Sequence, residues 1–264
     1  MSNSLFIGKV YHRFDELTST NDYALELIAA TRNETESHAA KSKPPEGTVV
    51  RADSQSAGRG QIGSRWEAAP GLNLTFSVIL YPNWLAVQDQ FYLSMAVALA
   101  LYDACATLDL PKMPMVKWPN DLYFENRKCA GILIQNSISG KHLQSAVVGI
   151  GLNINQKDFG PGLGNPTSLA IESGRTFDPD QVAEIMFVCL ERRYLQLKSG
   201  RKKDIETDYL ARMYRLGLPS KFVRTSNETG FEGVICGVAD DGRLRIETAA
   251  GTELFGLKEI KILS

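Results

Sequence analysis

One segment constrains this chain more than any other: Asp53-Ser-Gln-Ser-Ala-Gly-Arg-Gly-Gln-Ile-Gly-Ser-Arg-Trp66, which has no continuous apolar run and reads as a loop. Glycines at 58, 60 and 63 admit positive φ and let backbone N–H groups approach an anion, while Arg59 and Arg65 add forked cationic donors suited to phosphate or carboxylate. Trp66 adds a flat face for stacking. Before the segment comes Gly47-Thr-Val-Val-Arg-Ala52, and after it Gly71-Leu-Asn-Leu-Thr-Phe-Ser-Val-Ile-Leu80, both rich in strand-forming residues. A Gly-Arg-Gly alone suits an exposed loop with solvated arginines. Strung between two sheet strands, it reads as a glycine-rich lid, a common position for a ligand clamp.

The 264 residues allow one large domain or a large and a small one, and 44% hydrophobic with 22% charged residues is ordinary for a soluble globular chain. A net charge of −1 gives no general electrostatic reason to bind nucleic acid or a membrane. Cys105, Cys129, Cys189 and Cys236 lack C-x-x-C spacing, so buried free thiols in a reducing cytoplasm are expected. The start Met-Ser-Asn-Ser-Leu-Phe-Ile-Gly has no signal-peptide pattern, and no run reaches membrane-spanning length. His12, His38 and His142 lack metal-site spacing, so no protein-ligated structural metal is expected.

Residues 5 to 14 read as an opening strand, residues 15 to 22 as a turn and Tyr23 to Ala30 as a short helix. Ser19, Thr20 and Asn21 are all good N-caps and equally able to hold a polar ligand head. Residues 31 to 46 read as an exposed connection. Apolar residues at helical spacing predict a buried helix from Gln88 to Leu108, with Phe91, Tyr92, Met95 and Tyr102 in the core.

The stretch from Val116 to Ile134 reads as strand, Trp-Pro-Asn-Asp turn, short strand, Glu-Asn-Arg turn and buried strand. Lys128 opens that last strand, with Asp121 seven positions back across the hairpin, so a paired cation and anion is expected. The strand from Ser145 to Asn155 carries Gly149 and Gly151, which leave room for a ligand or mark a bulge, and Asn153 and Asn155 at its end. Thr167-Ser168 caps a helical turn, and helices are predicted over Asp178 to Lys198 and Arg201 to Leu216. Lys198, Arg201, Lys202 and Lys203 at their junction read as a solvated face. From Gly217 the texture becomes short alternating strands, with Asp241-Gly242 as a hairpin signal. This implies a small SH3-like barrel (217–264) on an α+β body (1–216).

Ser19-Thr-Asn21, Gln55-Ser-Ala-Gly-Arg-Gly60, Lys117-Trp-Pro-Asn-Asp121, Arg127-Lys-Cys-Ala-Gly-Ile-Leu133 and Gly149-Ile-Gly-Leu-Asn153 together resemble the biotin protein ligases, over nearly the whole chain. The resemblance implies the mixed-sheet catalytic domain of biotin and lipoate ligases, related to class II aminoacyl-tRNA synthetases, with a C-terminal SH3-like barrel. It implies that biotin and ATP, with Mg2+, give biotinyl-5′-AMP. A lysine of a biotin carboxyl carrier protein or domain, belonging to acetyl-CoA carboxylase or another biotin-dependent carboxylase, then takes the biotinyl group.

By the same resemblance Lys128 is the central catalytic cation, with Arg59 from the lid and Asp121 near the phosphate. Ser19, Thr20, Asn21, Gln55, Gly58, Arg59, Gly131, Leu133, Gly149 and Gly151 would meet biotin. Arg59, Gly60, Trp66, Asn120, Lys128 and Asn153 would meet ATP or the adenylate, with Trp66 near the adenine and Asn153 bonding it. In the family the lid commonly carries further basic residues, where this chain has Gln61, Ile62 and Ser64. Fewer than twenty residues precede Ser19, so a helix-turn-helix domain and DNA binding are not expected, nor is a membrane partner, while a homodimer is left open. The rivals are a lipoate ligase or lipoyl transferase of the same superfamily, and a noncatalytic interaction protein, which would leave Arg59, Asp121 and Lys128 unexplained.

Overall fold

A computed structural model describes residues 4–30, 42–61, 63–161 and 163–263. Seven strands form one mixed sheet: β1 (Tyr11–Leu17), β2 (Val49–Gln55), β3 (Leu74–Leu80), β4 (Met115–Lys117), β5 (Asp121–Phe124), β6 (Arg127–Ser139) and β7 (His142–Leu152). Their order is β1-β2-β3-β7-β6-β5-β4, with β1 and β2 parallel and every other neighbour antiparallel.

Period-two alternation sorts the side chains of the central strands. Leu74, Phe76, Val78 and Leu80 of β3 and Ala146, Val148, Ile150 and Leu152 of β7 enter the main core, with α2 (Gln90–Ala106) and α4 (Pro179–Lys198). Ile79 and Val147, on the other face, pack with Ala24 and Ile28 of α1 (Thr20–Ala29). Such two-sided cover explains why β3 is buried along its full length. Two shorter helices, α3 (Leu169–Ser173) and α5 (Lys202–Ala211), follow the sheet.

Five strands, β8 (Pro219–Arg224), β9 (Gly230–Val238), β10 (Leu244–Thr248), β11 (Gly251–Phe255) and β12 (Ile260–Leu263), make a second, antiparallel sheet in the order β11-β10-β9-β8-β12. This matches the SH3-like expectation. Phe222, Ile235, Leu244, Ile246 and Phe255 of this sheet share the main core with the α+β body. The Asp241-Gly242 hairpin is fixed to the body as well: Trp118 Nε1 donates to the Gly242 carbonyl at 2.9 Å. Gly242 has φ +89, and a Cβ there would stand 2.6 Å from the Phe91 ring, so the turn demands glycine on both counts.

Several predicted boundaries move. The opening strand starts at Tyr11, since residues 5 to 10 form turns whose Leu5, Phe6 and Ile7 N–H groups are capped by the buried Glu191 carboxylate. Residues 15 to 17, read as turn, continue β1, and residues 53 to 55, read as the start of the loop, continue β2, because pairing of Glu16 and Leu17 with Ser54 and Gln55 extends the ladder. The first helix begins at Thr20 with Ser19 as N-cap. The long apolar helix is preceded by a 3₁₀ turn at Val87–Asp89 and ends at Ala106, and the helix predicted over 201–216 spans only Lys202–Ala211. Met213 and Tyr214 turn away to bond β4, through Tyr214 N to the Val116 carbonyl at 2.8 Å. Most of the connection read over 31–46, and His38 within it, lies outside the described residues.

Cys105, Cys129 and Cys189 are buried free thiols as expected, and burial pushes Cys105 up to about 12, whereas Cys236 on β9 is exposed. Lys202, read as solvated, pairs with Asp89. No helix among the described residues is long and apolar enough to cross a membrane.

Candidate active site

Register places a row of unlike residues across the pocket face of the sheet. Thr75 pairs with Gly151, Gly151 with Gly131, Gly131 with Asp121, and Asp121 with Lys117. The next row is Ser77, Gly149 and Leu133. With neighbouring strands about 4.8 Å apart, the first row crosses roughly 19 Å of sheet. Above it lies a cavity of about 440 Å³, closed on one side by the lid and on another by the C-terminal sheet.

The glycines are required by what stands over them. A Cβ on Gly151 would be 2.2 Å from the Trp66 ring, one on Gly149 2.2 Å from Asn21 Oδ1, and one on Gly131 3.3 Å from both Lys128 Nζ and Trp66. Trp66 therefore lies flat on the glycine row. Its indole N–H is buried without a hydrogen-bond partner among the described residues.

At one end, polar groups interlock. Thr20 N donates to Gln55 Oε1 at 2.7 Å, Ser77 Oγ donates to Asn21 Oδ1 at 2.6 Å and stands 2.8 Å from Thr20 Oγ1, and Asn21 Nδ2 donates to Gln135 Oε1 at 2.8 Å. Ser19, Thr20 and Asn21 are each buried, so the start of α1 presents preorganised donors and acceptors rather than a solvated cap.

The other end is cationic. Lys128 Nζ lies 2.6 Å from Asp121 Oδ1, an ion pair whose angles fall outside hydrogen-bond geometry. The backbone of Lys128 is tied to the 165–167 segment by N–H donation to the Asn165 carbonyl and acceptance from Thr167 N, each at 2.8 Å. Lys117 stands 4.2 Å from the centre of the Tyr123 ring. Burial lowers its pKa, Asp121 opposes that, and Lys128 and Arg215 lower it further. In the lid, Arg59 Nε pairs with Asp22 Oδ2 at 2.9 Å.

The lid is a small loop closed on itself: Trp66 N donates to the Gly58 carbonyl at 3.0 Å and Gly60 N to that of Ser64 at 3.1 Å. Its root is fastened by Ser56 N and Ala57 N to the carbonyls of Leu17 and Thr18. Residue 62 lies outside the described residues.

A polar end, an apolar glycine floor and a cationic end form a continuous trough, and its affiliation is clear from sequence relatives. Residues 24–153 match the Biotin/lipoate A/B protein ligase family. The biotin--[acetyl-CoA-carboxylase] ligase of Paracoccus denitrificans is 33% identical over 216 residues, which cover 80% of this chain and 88% of that one. The chain belongs to the biotin protein ligase family. The bifunctional ligase/repressor BirA of Bacillus subtilis is 31% identical over 257 residues, 96% of this chain and 73% of its own length. A solved biotin protein ligase from Aquifex aeolicus in complex with biotin and ATP shares the fold at a TM-score of 0.76 and 23% identity, covering 97% of this chain and 99% of that one.

Of the residues singled out in the sequence of this biotin protein ligase family member, most line the one trough, from Ser19–Asn21 and Gln55 through Arg59, Gly60 and Trp66 to Asn120, Asp121, Lys128, Gly131, Leu133, Gly149 and Gly151. Gly58 and Asn153 do not. Gly58 sits behind the lid, where a Cβ would stand 2.3 Å from the Trp66 carbonyl oxygen, so its part is to let the loop close. Asn153 is buried beyond the end of β7, donating Nδ2 to the Thr167 carbonyl at 2.9 Å, and so braces the segment that anchors Lys128. Trp66 covers the glycine floor with its ring against Gly131 and Gly151.

Sequence reasoning missed Lys117 and the whole contribution of the C-terminal sheet, whose Leu244, Lys258, Ile260, Lys261 and Ile262 line the trough. The Lys117-Trp-Pro-Asn-Asp motif held the signal for the first; nothing local signals the second.

Proposed function

We propose that the chain activates biotin with ATP to biotinyl-5′-AMP and transfers the biotinyl group to a lysine of a biotin carboxyl carrier protein or domain. The observation that carries this reading is the cross-sheet row from Thr75 to Lys117, polar at one end, glycine-floored in the middle and cationic at the other.

Biotin fits that order, with its ureido ring among Ser19, Thr20, Asn21 and Gln55, its aliphatic tail over Gly149, Gly151 and Leu133, and its carboxylate towards Lys128 and Arg59. Bringing a carboxylate to the α-phosphate sets two anions against each other, and Lys128 offsets both their repulsion and the charge that develops. Arg59 would exchange Asp22 for the same anions. Trp66 and the lid then cover the mixed anhydride and exclude water. In the transfer step Asp121 is placed to orient the incoming lysine amine or accept its proton, and Asn120 holds the turn that carries Asp121 by bonds to the Ile132 backbone.

Magnesium would enter with the nucleotide, as part of the substrate. Among the described residues no three His, Cys, Asp or Glu side chains come together, and the one carboxylate lining the trough is already paired with Lys128. Residues 1–216 supply Lys128, Arg59, Asp121 and the biotin end, and 217–264 form an appended unit that closes one side of the trough. The partner is a carrier protein, and a homodimer would leave the trough of each copy complete.

Incubation with biotin, MgATP and a carrier domain, with lipoate in a parallel reaction, tests the reading by mass spectrometry. Addition of the biotinyl mass at one acceptor lysine is expected. Lipoyl addition instead, or no addition, would sink it.

A further inference from the structure

The lid tip is neutral at Gln61 and Ser64, yet the trough is strongly cationic. Its charged lining among the described residues is Arg59, Arg65, Lys117, Lys128, Lys258 and Lys261 against the single carboxylate of Asp121, in a protein of net charge −1. So concentrated a positive charge calls for a ligand with several negative charges.

Three of the four cations of the body are engaged, and Arg65 is exposed with no ion-pair partner among the described residues. Lys128 is paired with Asp121, Arg59 with Asp22, and Lys117 lies over Tyr123. Lys258 and Lys261 are exposed and have no ion-pair partner among the described residues. Lys258 comes from the β11–β12 turn, which reaches back over the lid, with its Nζ 3.6 Å from where a Cβ on Gly63 would stand, and Lys261 follows on β12, paired with Val223 of β8.

That position is enforced. Lys258 has φ 61, a conformation disfavoured for a residue with a side chain, and the Lys258 carbonyl accepts from Thr225 Oγ1 while that of Glu259 accepts from Thr225 N at 2.9 Å. The Glu259 carboxylate is turned to its own loop, accepting from Gly256 N at 2.7 Å. The turn's sheet is in turn held to the body by the shared core and by Trp118 on Gly242.

We propose that Lys258 and Lys261 bind the β- and γ-phosphates of ATP, supplying from the C-terminal sheet the charge that the lid tip lacks. This rests on the ligase reading above. In adenylation a carboxylate oxygen of biotin bonds to the α-phosphorus, the bond from that phosphorus to the bridging oxygen of the β-phosphate breaks, and pyrophosphate leaves with the electron pair. Lys258 and Lys261 hold that leaving group and take no part once it has gone, so they act in the first half-reaction alone.

The test pairs K258A/K261A with K258R/K261R in the full chain. Alanines raise the KM for ATP about tenfold and flatten its dependence on salt, while the KM for biotin and the transfer rate from supplied biotinyl-5′-AMP stay at wild type; arginines preserve all four. Calorimetric titration of inorganic pyrophosphate reads the same site without turnover, with a similar loss of affinity in the alanine variant. An unchanged KM for ATP, an equal loss in the transfer step, or a wild-type chain that does not bind pyrophosphate would overturn the proposal. A wild type that binds pyrophosphate yet adenylates nothing would defeat the ligase reading and leave the anion site standing.

Discussion

The glycine floor and the lid make one trough by opposite means. The floor is a patch of continuous ladder, with β3, β7 and β6 paired residue by residue and Gly131, Gly149 and Gly151 each pressed upon by a side chain. The lid has no such ladder. It is closed by the two backbone bonds that make an isolated Arg59–Arg65 bridge and by a turn bond from Ser64 N to the Gln61 carbonyl, and one of its cations, Arg59, is engaged by a neighbouring carboxylate, Asp22. Shape thus comes from the sheet, where a one-atom change meets packed neighbours, and the lid adds a charge, Arg59, whose exposed ion pair can change partners. Lys128 stands where the two meet, with its backbone in the ladder and its ammonium among the charges.

Lys128→Ala should therefore give the largest loss, on the order of 10²–10³-fold in adenylation rate, because it removes the charge without touching the floor. Pyrophosphate exchange and circular dichroism together check this. Wild-type exchange in the variant would break the division between shape and charge.

Gly149→Ala comes next. The added methyl would force Asn21 away from Ser77 and Gln135, at about 1–3 kcal/mol, so affinity for biotin should fall roughly 10- to 100-fold while affinity for ATP holds. Isothermal titration with each ligand decides it, and parallel losses for both would mean the floor and the cationic end are not separable.

Arg59→Ala should leave the floor intact and let biotinyl-5′-AMP escape about tenfold faster, within the 1.4 kcal/mol of one charge-assisted contact. Free adenylate resolved by chromatography after a single turnover is the readout. Retention equal to wild type would show that the lid closes by Trp66 alone.

The smallest effect lies outside both regions. Burial pulls Asp180 up, but its hydrogen bonds and ion pairs with Arg51 and Arg13 outweigh that and hold the carboxyl below its ordinary value. A depressed carboxyl contributes stability above its unfolded pKa, near 3.9, and loses it as the pH falls through the folded pKa. Because the Asp180 side chain is 56% exposed, Asp180→Asn should cost under about 1 kcal/mol at neutral pH, with the difference from wild type shrinking as the pH falls through the depressed folded pKa. Urea melts at pH 7 and pH 3 compare the two, and an unaltered activity would confirm that this edge of the sheet serves only as frame.

Local chemistry carried much of this. Continuous apolar runs required buried strands at β3 and β7, glycine content required a loop between β2 and β3, and seven residues across a hairpin sufficed to pair Lys128 with Asp121. These are short-range consequences of backbone period and turn geometry. The helix expected to run to Leu216 stopped at Ala211 because Tyr214 found a partner on β4, which no propensity encodes. That Asn153 lies outside the trough and donates its amide N–H to the Thr167 carbonyl, and that Trp66 settles on Gly131 and Gly151, depend on where the strands bring these residues.

By itself, the sequence determined the strands, the lid, the glycine floor and the residues able to stabilise an acyl-phosphate reaction, since period, φ preference and charge are properties of neighbouring residues. Only the tertiary structure decided that Lys258 stands over the lid tip and Lys261 lines the trough, nearly two hundred residues away in the chain from Gly63, because that proximity depends on how the second sheet docks through Trp118 and the shared core.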